Sequence, residues 1–335
     1  GPGIHGMHEN ANIACANSEA LEMFETLLSL QASDSKGGGL TVEEIIAQQA
    51  EHIEEELSKR GMFDTEAVGM QYPVVYEQSM NTVLIQECIR YNKLIAEMES
   101  TLPMLQKALK GLVVMSAGLD AMGKNIAVNA VPVNWENKAY PSMKPLAAWS
   151  SDLMARLDMV IGWIEHGIPV VFWISGFYFP QAFLTGSRQN YARKKQYAID
   201  TIEFDFIVRE DSWETVKEGP EDGVYIRGLY LEGARWNSEI GSLDDSNPKQ
   251  LYTEMSMIHL QPVKDRQPTK EGIYMCPVYK ILSRRGVLST TGHSTNFVFW
   301  IELPAQGDTF INNIGLADNE KWIKAGVGAF TSLRY

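Results

Sequence analysis

Seven residues, Gly118-Leu119-Asp120-Ala121-Met122-Gly123-Lys124, carry the G-x-x-x-x-G-K spacing of a phosphate-binding loop. Such a loop aims backbone N–H groups at phosphate oxygens, and a following Ser or Thr hydroxyl holds magnesium. Asn125 stands at that place, an amide with no hydroxyl to offer. The loop must also follow a strand, yet the apolar residues Leu112 to Met115 continue a helical pattern from Leu105. No apolar strand ending in Asp or Glu follows. The spacing therefore reads as a helix end with glycines. A free-standing nucleotide-binding enzyme using Lys124 is the alternative.

Gly292-His293-Ser294-Thr295-Asn296 sets a histidine beside a serine. A nucleophile elbow needs G-x-S-x-G on a strand-to-helix turn, and the second glycine is missing. A triad is defined by geometry rather than by neighbours in sequence, so the stretch reads as a polar turn leading into a strand at Phe297, with a Ser294 hydrolase as a weaker rival. His5 and His8 lie close together without a third ligand nearby, and zinc takes three or four. His52, His166 and His259 stand alone. Cys15, Cys88 and Cys276 are odd in number and far apart, which disfavours both a disulfide framework and a zinc site and fits a reducing compartment. Catalytic, cofactor-binding and metal-binding residues are accordingly expected to be absent.

The elements that would position these groups follow from periodicity. Ser18 caps a segment with Leu21, Phe24, Leu27 and Leu28 on one face, and Ser33 to Gly39 reads as a loop. Thr41 and Glu44 form a T-x-x-E capping box ahead of Ile45, Ile46, Ile53 and Leu57. Met80, Leu84, Cys88, Tyr91, Ile95 and Met98 mark a long helix, and Pro103 falls where a further helix would start. Pro132, Pro141 and Pro145 break the pattern and mark a boundary region. Helices follow over Leu146 to Ile164 and from Pro180 to Lys195. Beyond Ile199, Ile202, Phe204 and Phe206 alternate with Glu203 and Asp205 as a half-buried strand. Further strands are predicted over Val224 to Leu231, Met255 to Leu260, Tyr274 to Ile281 and Phe297 to Leu303. The predicted fold is α+β: an N-terminal α-helical subdomain, then helices followed by an antiparallel β-barrel or sandwich.

Bulk properties narrow the function. The chain has 335 residues, 45% of them apolar and 21% charged, enough for two or three ordinary cores. Its net charge of −13 repels phosphate backbones, which argues against nucleic acid as a partner. The longest apolar run, Ile168 to Phe179, is interrupted by Pro169, Ser175 and Gly176. It falls short of the roughly 20 residues a membrane helix needs, so no membrane association is expected. Its aromatics Phe172, Trp173, Phe177, Tyr178 and Phe179 read first as buried core, with an interface hot spot as the alternative. Arg188, Arg193, Lys194 and Lys195 make a local basic stretch just beyond. Gly1-Pro2-Gly3 has the look of a scar left by tag cleavage.

Many separate strings then resemble one family in collinear order. His8-Glu9-Asn10-Ala11, Glu25 to Gln31, Pro73 to Asn81 and Lys110 to Ser116 are similar to the end of the sixth AAA+ module of dynein heavy chains. Phe172 to Phe177, Asp222 to Tyr225, Leu231 to Trp236, Cys276 to Tyr279 and Ser289 to Phe297 are similar to that family's C-terminal domain, of the axonemal kind. The resemblance implies a small helical subdomain of the sixth module over 4–118. It also implies a C-terminal domain over 119–335, mainly helical over 119–198 and mainly β over 199–335. It implies a non-catalytic segment that lies on the motor ring, contacts its AAA+ modules and modulates minus-end-directed motility. Trp173, Phe177, Tyr178, Phe179 and Trp236 are the ring-contact or core aromatics under that reading. ATP and Mg would belong to the parent motor, as would microtubules and the intermediate and light chains. An acidic surface such as this one is a poor direct partner for acidic tubulin. The implied location is the cytoskeleton of the cytoplasm and the axoneme of a cilium or flagellum.

Overall fold

The computed structural model describes residues 41–267, 272–288, 294–305 and 320–334, with isolated positions 13, 16 and 20. The Ser18 and Ser33 to Gly39 expectations lie outside the described residues. The protein divides into two compact units. One draws on Asn17–Pro73 and Leu84–Glu165, the other on Val74–Val83 and His166–Leu333.

The first unit is helical. Helix α1 (Val42–Ser58) starts with the full capping box: Thr41 Oγ1 accepts from Glu44 N at 3.2 Å, and Glu44 Oε2 accepts from Thr41 N at 2.7 Å. Ile46, Ala50, Ile53 and Leu57 fall on one face and are buried. After short α2 (Thr65–Gln71) comes α3 (Ser79–Leu109), whose first turn belongs to the other unit. Its Leu84, Cys88, Tyr91, Ile95, Met98, Leu102 and Leu105 are fully buried. Pro103 lies inside α3, not at the start of a new helix. An interior proline costs about 3 kcal/mol, but burying a leucine gains about 2 kcal/mol. Leu102 and Leu105, both at 0% exposure, flank the proline and hold the helix through it.

Helix α3 ends in a Schellman motif. Gly111 has φ +71°, its N–H reaches Ala108 O at 3.0 Å, and Leu112 N reaches Lys107 O at 2.9 Å. The expected helical continuation through Leu112 therefore fails, and Leu112 and Val114 are exposed. Helices α4 (Ala117–Ala127), α5 (Val133–Glu136) and α6 (Leu146–His166) are the unit's remaining described helices. Trp149 of α6 stacks on Trp135 (6.0 Å) and Tyr140 (6.3 Å), and Trp135 Nε1 donates to Thr101 Oγ1 at 2.9 Å. Arg60 binds Asp158 through two bonds of 2.7 and 2.8 Å, tying the end of α1 to α6.

The second unit is built on sheets, with helix α7 (Pro180–Lys195) between strands β1 (Val171–Trp173) and β2 (Ile202–Val208). The predicted 224–231 strand is split into β3 (Val224–Arg227) and β4 (Tyr230–Glu232) at Gly228, whose φ is +94°. Then come β5 (Arg235–Asn237), β6 (Ser242–Asp244), β7 (Tyr252–Glu254), β8 (Ile258–Lys264), β9 (Ile273–Tyr279) and β10 (Phe297–Pro304). Short helix α8 (Glu320–Lys324) and β11 (Gly328–Phe330) are the last described elements.

The strands form a four-stranded sheet β1-β3-β8-β2, a five-stranded sheet β10-β9-β11-β4-β7 and a ribbon β5-β6. The architecture is α+β with sandwich-like sheets and no closed barrel among the described residues. Nor is the pairing wholly antiparallel, because β1 runs parallel to β3 and β11 parallel to β9. Edge strands β2 and β10 make no ladder with each other. Phe206 and Phe299 meet there at 6.2 Å, and Arg266 binds both Asp205 of β2 and Glu302 of β10. Side chains, not backbone hydrogen bonds, join that seam.

Candidate interaction site

The phosphate-loop spacing falls wholly inside α4. Ser116 caps it, its Oγ accepting from Leu119 N at 3.3 Å, and the following backbone N–H groups serve the helix ladder. Groups so committed cannot cradle a phosphate. Gly123 is buried where a Cβ would stand 3.6 Å from Ile46 Cδ1, so it is a packing residue. Lys124 Nζ lies 2.6 Å from Asp120 Oδ2 in an exposed (i, i+4) pair. Lys124→Ala is expected to change stability by no more than about 0.5 kcal/mol. Calorimetric titration with Mg-ATP should give the same trace for variant and parent; saturable heat lost in the variant would restore the nucleotide reading.

The other chemical candidates are held structurally. Ser294 Oγ accepts from Asn296 N at 3.2 Å, and Asn296 Nδ2 donates to Arg285 O at 2.8 Å, folding the turn before β10. His293 lies outside the described residues, as do His5, His8 and Cys15. His52 is exposed on α1, and His166 ends α6. His259 sits 2.9 Å from Asp222 O with its ring edge-on to Tyr225. Cys88 and Cys276 are buried, and burial pushes each thiol up to about 12. Both stay protonated at neutral pH, a poor state for nucleophile or metal ligand. Among the described residues no group of three His, Cys, Asp or Glu side chains is placed to hold a metal. No described helix is long and apolar enough to cross a membrane.

The aromatic run after His166 divides by destination. Phe172, Phe177 and Phe183 form a core cluster, with Phe183 4.8 Å from Phe172 and 4.6 Å from Phe177. Trp173 is the register partner of Arg227 across the β1/β3 pair. The Arg227 guanidinium carbon lies 3.7 Å from the Trp213 ring centre and 5.8 Å from that of Trp173. Gly228 makes the stack possible, because a Cβ there would stand 2.5 Å from Trp173 Cδ1. Burial draws the Arg227 guanidinium below its usual range, partly countered by Glu254, Tyr230 and Glu214. Tyr178 is half-buried, and Phe179 is exposed beneath Lys280 Nζ at 5.4 Å from its ring centre. Trp236 is half-buried on the β5-β6 ribbon, opposite Leu243.

The five aromatics singled out in the sequence are thus spread over a core, a stack, a rim and a ribbon. The stack's other members, Trp213 and Arg227, escaped sequence reading. Trp213 sits in a turn without periodicity and meets Arg227 only through the fold. The basic stretch resolves into separate roles. Arg193 Nη1 donates to Tyr76 O (2.7 Å) and Ser79 Oγ (2.8 Å), while Lys194 binds Asp222 at 2.6 Å.

These features define a two-unit α+β protein with sandwich-like sheets and aromatic–guanidinium surface stacks. Comparison makes the class specific. The family profile for the C-terminal domain of dynein heavy chains matches residues 17–331, and the protein belongs to that family. It is 49% identical to dynein axonemal heavy chain 1 of Mus musculus over 334 residues. It is 46% identical to dynein axonemal heavy chain 3 of Homo sapiens and 42% identical to dynein axonemal heavy chain 12 of Homo sapiens. These matches take in 99–100% of this sequence but only 8–10% of each relative.

Proposed function

We propose that this protein is the C-terminal, non-catalytic segment of an axonemal dynein heavy chain, acting by contact rather than by chemistry. The family match across 17–331 carries the reading. The placement of Gly118 to Lys124 within a helix supports its non-catalytic half. On this reading residues 4–118 close the sixth AAA+ module and 119–335 form the C-terminal domain on the motor ring. The parent motor supplies ATP and Mg chemistry, and it meets microtubules and the intermediate and light chains elsewhere in the protein. The place of action is the axoneme of a cilium or flagellum.

A domain that touches moving modules biases their motion only by contacting two states with different free energy. Deleting residues 119–335 from the full motor tests this. ATP hydrolysis is expected to persist while gliding velocity, stall force or run length shifts by about twofold or more, a bias of about 0.4 kcal/mol. A motor unchanged in all three would count against the proposal.

A further inference from the structure

The helical unit holds a cavity of about 390 Å3 beside the start of α6. Val131, Tyr140, Met143, Pro145 and Trp149 line it with apolar surface, and Lys144 stands among them. The backbone there is fixed on both sides. Lys144 N donates to Ser142 Oγ at 3.2 Å, and Pro145 after it disfavours the helical conformation. Just beyond, Asn129 caps α6, its O accepting from Leu146 N at 2.8 Å and its Oδ1 from Ala147 N at 2.9 Å. The Lys144 side chain is half-buried, and its Nζ makes no hydrogen bond or ion pair among the described residues. Lys124, Lys194, Lys321 and Lys324, by contrast, each hold a carboxylate within 2.9 Å in the open. Burial draws the Lys144 ammonium below the usual lysine range; Asp152 works against that shift and Arg156 with it. The Asp152 carboxylate is already held by Arg156 Nε at 2.7 Å. Glu136, exposed, and Arg334 are the other charged groups of the lining. The positive end of α6 further disfavours a cation beside it. A lysine desolvated among apolar side chains and set near a second cation is a nucleophile rather than a salt-bridge partner.

We propose that Lys144 is a modification site, a nucleophilic amine that accepts a small acyl group from an activated thioester. The ammonium first gives a proton to water. The Nζ lone pair then attacks the thioester carbonyl carbon, a C–N bond forms, the C–S bond breaks, and the sulfur leaves with the electron pair. The proton lost from nitrogen passes through water to that thiolate, so the products are an amide and a thiol. Nothing is oxidised or reduced. The same amine could condense with an aldehyde, but the resulting imine would carry a positive charge when protonated, in a place where burial and Arg156 disfavour one. The amide removes the charge altogether, and its acyl carbons lie against the apolar wall of the cavity. The outcome is a neutral, filled cleft at the start of α6 in place of a cationic one.

The test uses the whole, unaltered protein and one probe, the small thioester S-acetyl-N-acetylcysteamine, at limiting extent. Peptide mass spectrometry then gives an acetylation rate for each lysine across a series of pH values. Near neutral pH, Lys144 is expected to react about threefold or more faster than the exposed Lys93 and Lys249, because more of it is free amine. Its rate should also reach half its plateau at a lower pH than theirs. In concentrated guanidinium chloride the cavity is gone, and the three rates should converge. No variant has to fold for any of these comparisons. A Lys144 that reacts no faster than Lys93 and Lys249 in the folded protein would overturn the proposal, as would a half-plateau pH equal to theirs. An advantage that survives guanidinium chloride would overturn it too, by assigning the reactivity to the residues next to Lys144 in sequence and not to the cavity.

Discussion

Gly223→Ala is expected to destabilise the sheet unit by at least about 3 kcal/mol, through backbone strain plus a clash that cannot relax. Gly223 has φ +85°, a region that side chains rarely enter. A Cβ built there stands 2.0 Å from Leu260 O and 2.6 Å from Pro262 Cδ. The first obstacle is backbone, not a side chain that can swing away. Leu260 is the register partner of Val224, the next residue along, so Gly223 lies at the point where β3 joins β8. Strand β8 also pairs with β2 from Ile258 to Lys264. Moving the Leu260 carbonyl aside would lift the central strand from both neighbours.

In a unit of this size a loss of 3 kcal/mol lowers the melting midpoint by about 6–12 °C. Gly162→Ala in α6 is the matched control. Among the described residues, no atom beyond its own stretch of helix lies within 4 Å of its Cβ position, and alanine in a helix interior should gain about 0.5–1 kcal/mol. Denaturant curves for both variants decide the matter. If Gly223→Ala unfolds within about 1 kcal/mol of the parent, the close approach to Leu260 is not the constraint it looks.

The sequence made the long amphipathic elements legible because each carries its own period and cap. The T-x-x-E box at Thr41, the Leu146 to Ile164 face, the Pro180 start and the alternation at Ile202 are all local signals read within one element. What failed was non-local. Pro103 looked like a helix start, and only the burial of Leu102 and Leu105 explains why α3 runs through it. Leu112 to Met115 looked like more helix, but Gly111 is where the Schellman motif turns the chain out. The three-residue strands β1, β4, β5, β6, β7 and β11 are too short to show a period at all. Barrel closure could not be read either, since it depends on whether β2 and β10 find each other's backbone. The same limit governed the candidate surface. Trp173 was legible as one of a run of aromatics, whereas its partners Arg227 and Trp213 come from other elements. The cleft between α7, β2 and β10 likewise exists only once those three elements are packed together.

The seam that replaces a closed barrel yields the second large effect. Arg266 Nη1 donates to Glu302 Oε1 at 2.6 Å, Nη2 donates to the other Glu302 oxygen, and Nε donates to Asp205 Oδ1 at 2.6 Å. One guanidinium thus clamps both edge strands with fork-on-fork geometry. The hydrogen bonds to Glu302 outweigh burial and hold Arg266 well above the usual arginine range, with Asp205 adding to them. Arg266 and Glu302 are largely buried, whereas Asp205 is half exposed and contributes less. Glu302→Gln keeps the shape but removes the charge, leaving a buried cation with a weaker partner. Breaking such a pair from one side costs about 3 kcal/mol or more. Replacing both partners, Glu302→Leu with Arg266→Met, should recover most of that loss, because no desolvated charge remains. Denaturation of Glu302→Leu alone, Arg266→Met alone and the double variant gives the coupling directly. A strong positive coupling means the clamp holds β2 against β10; a Glu302→Gln loss under about 1 kcal/mol would leave the Phe206–Phe299 contact and the cover of α7 as what keeps the seam shut.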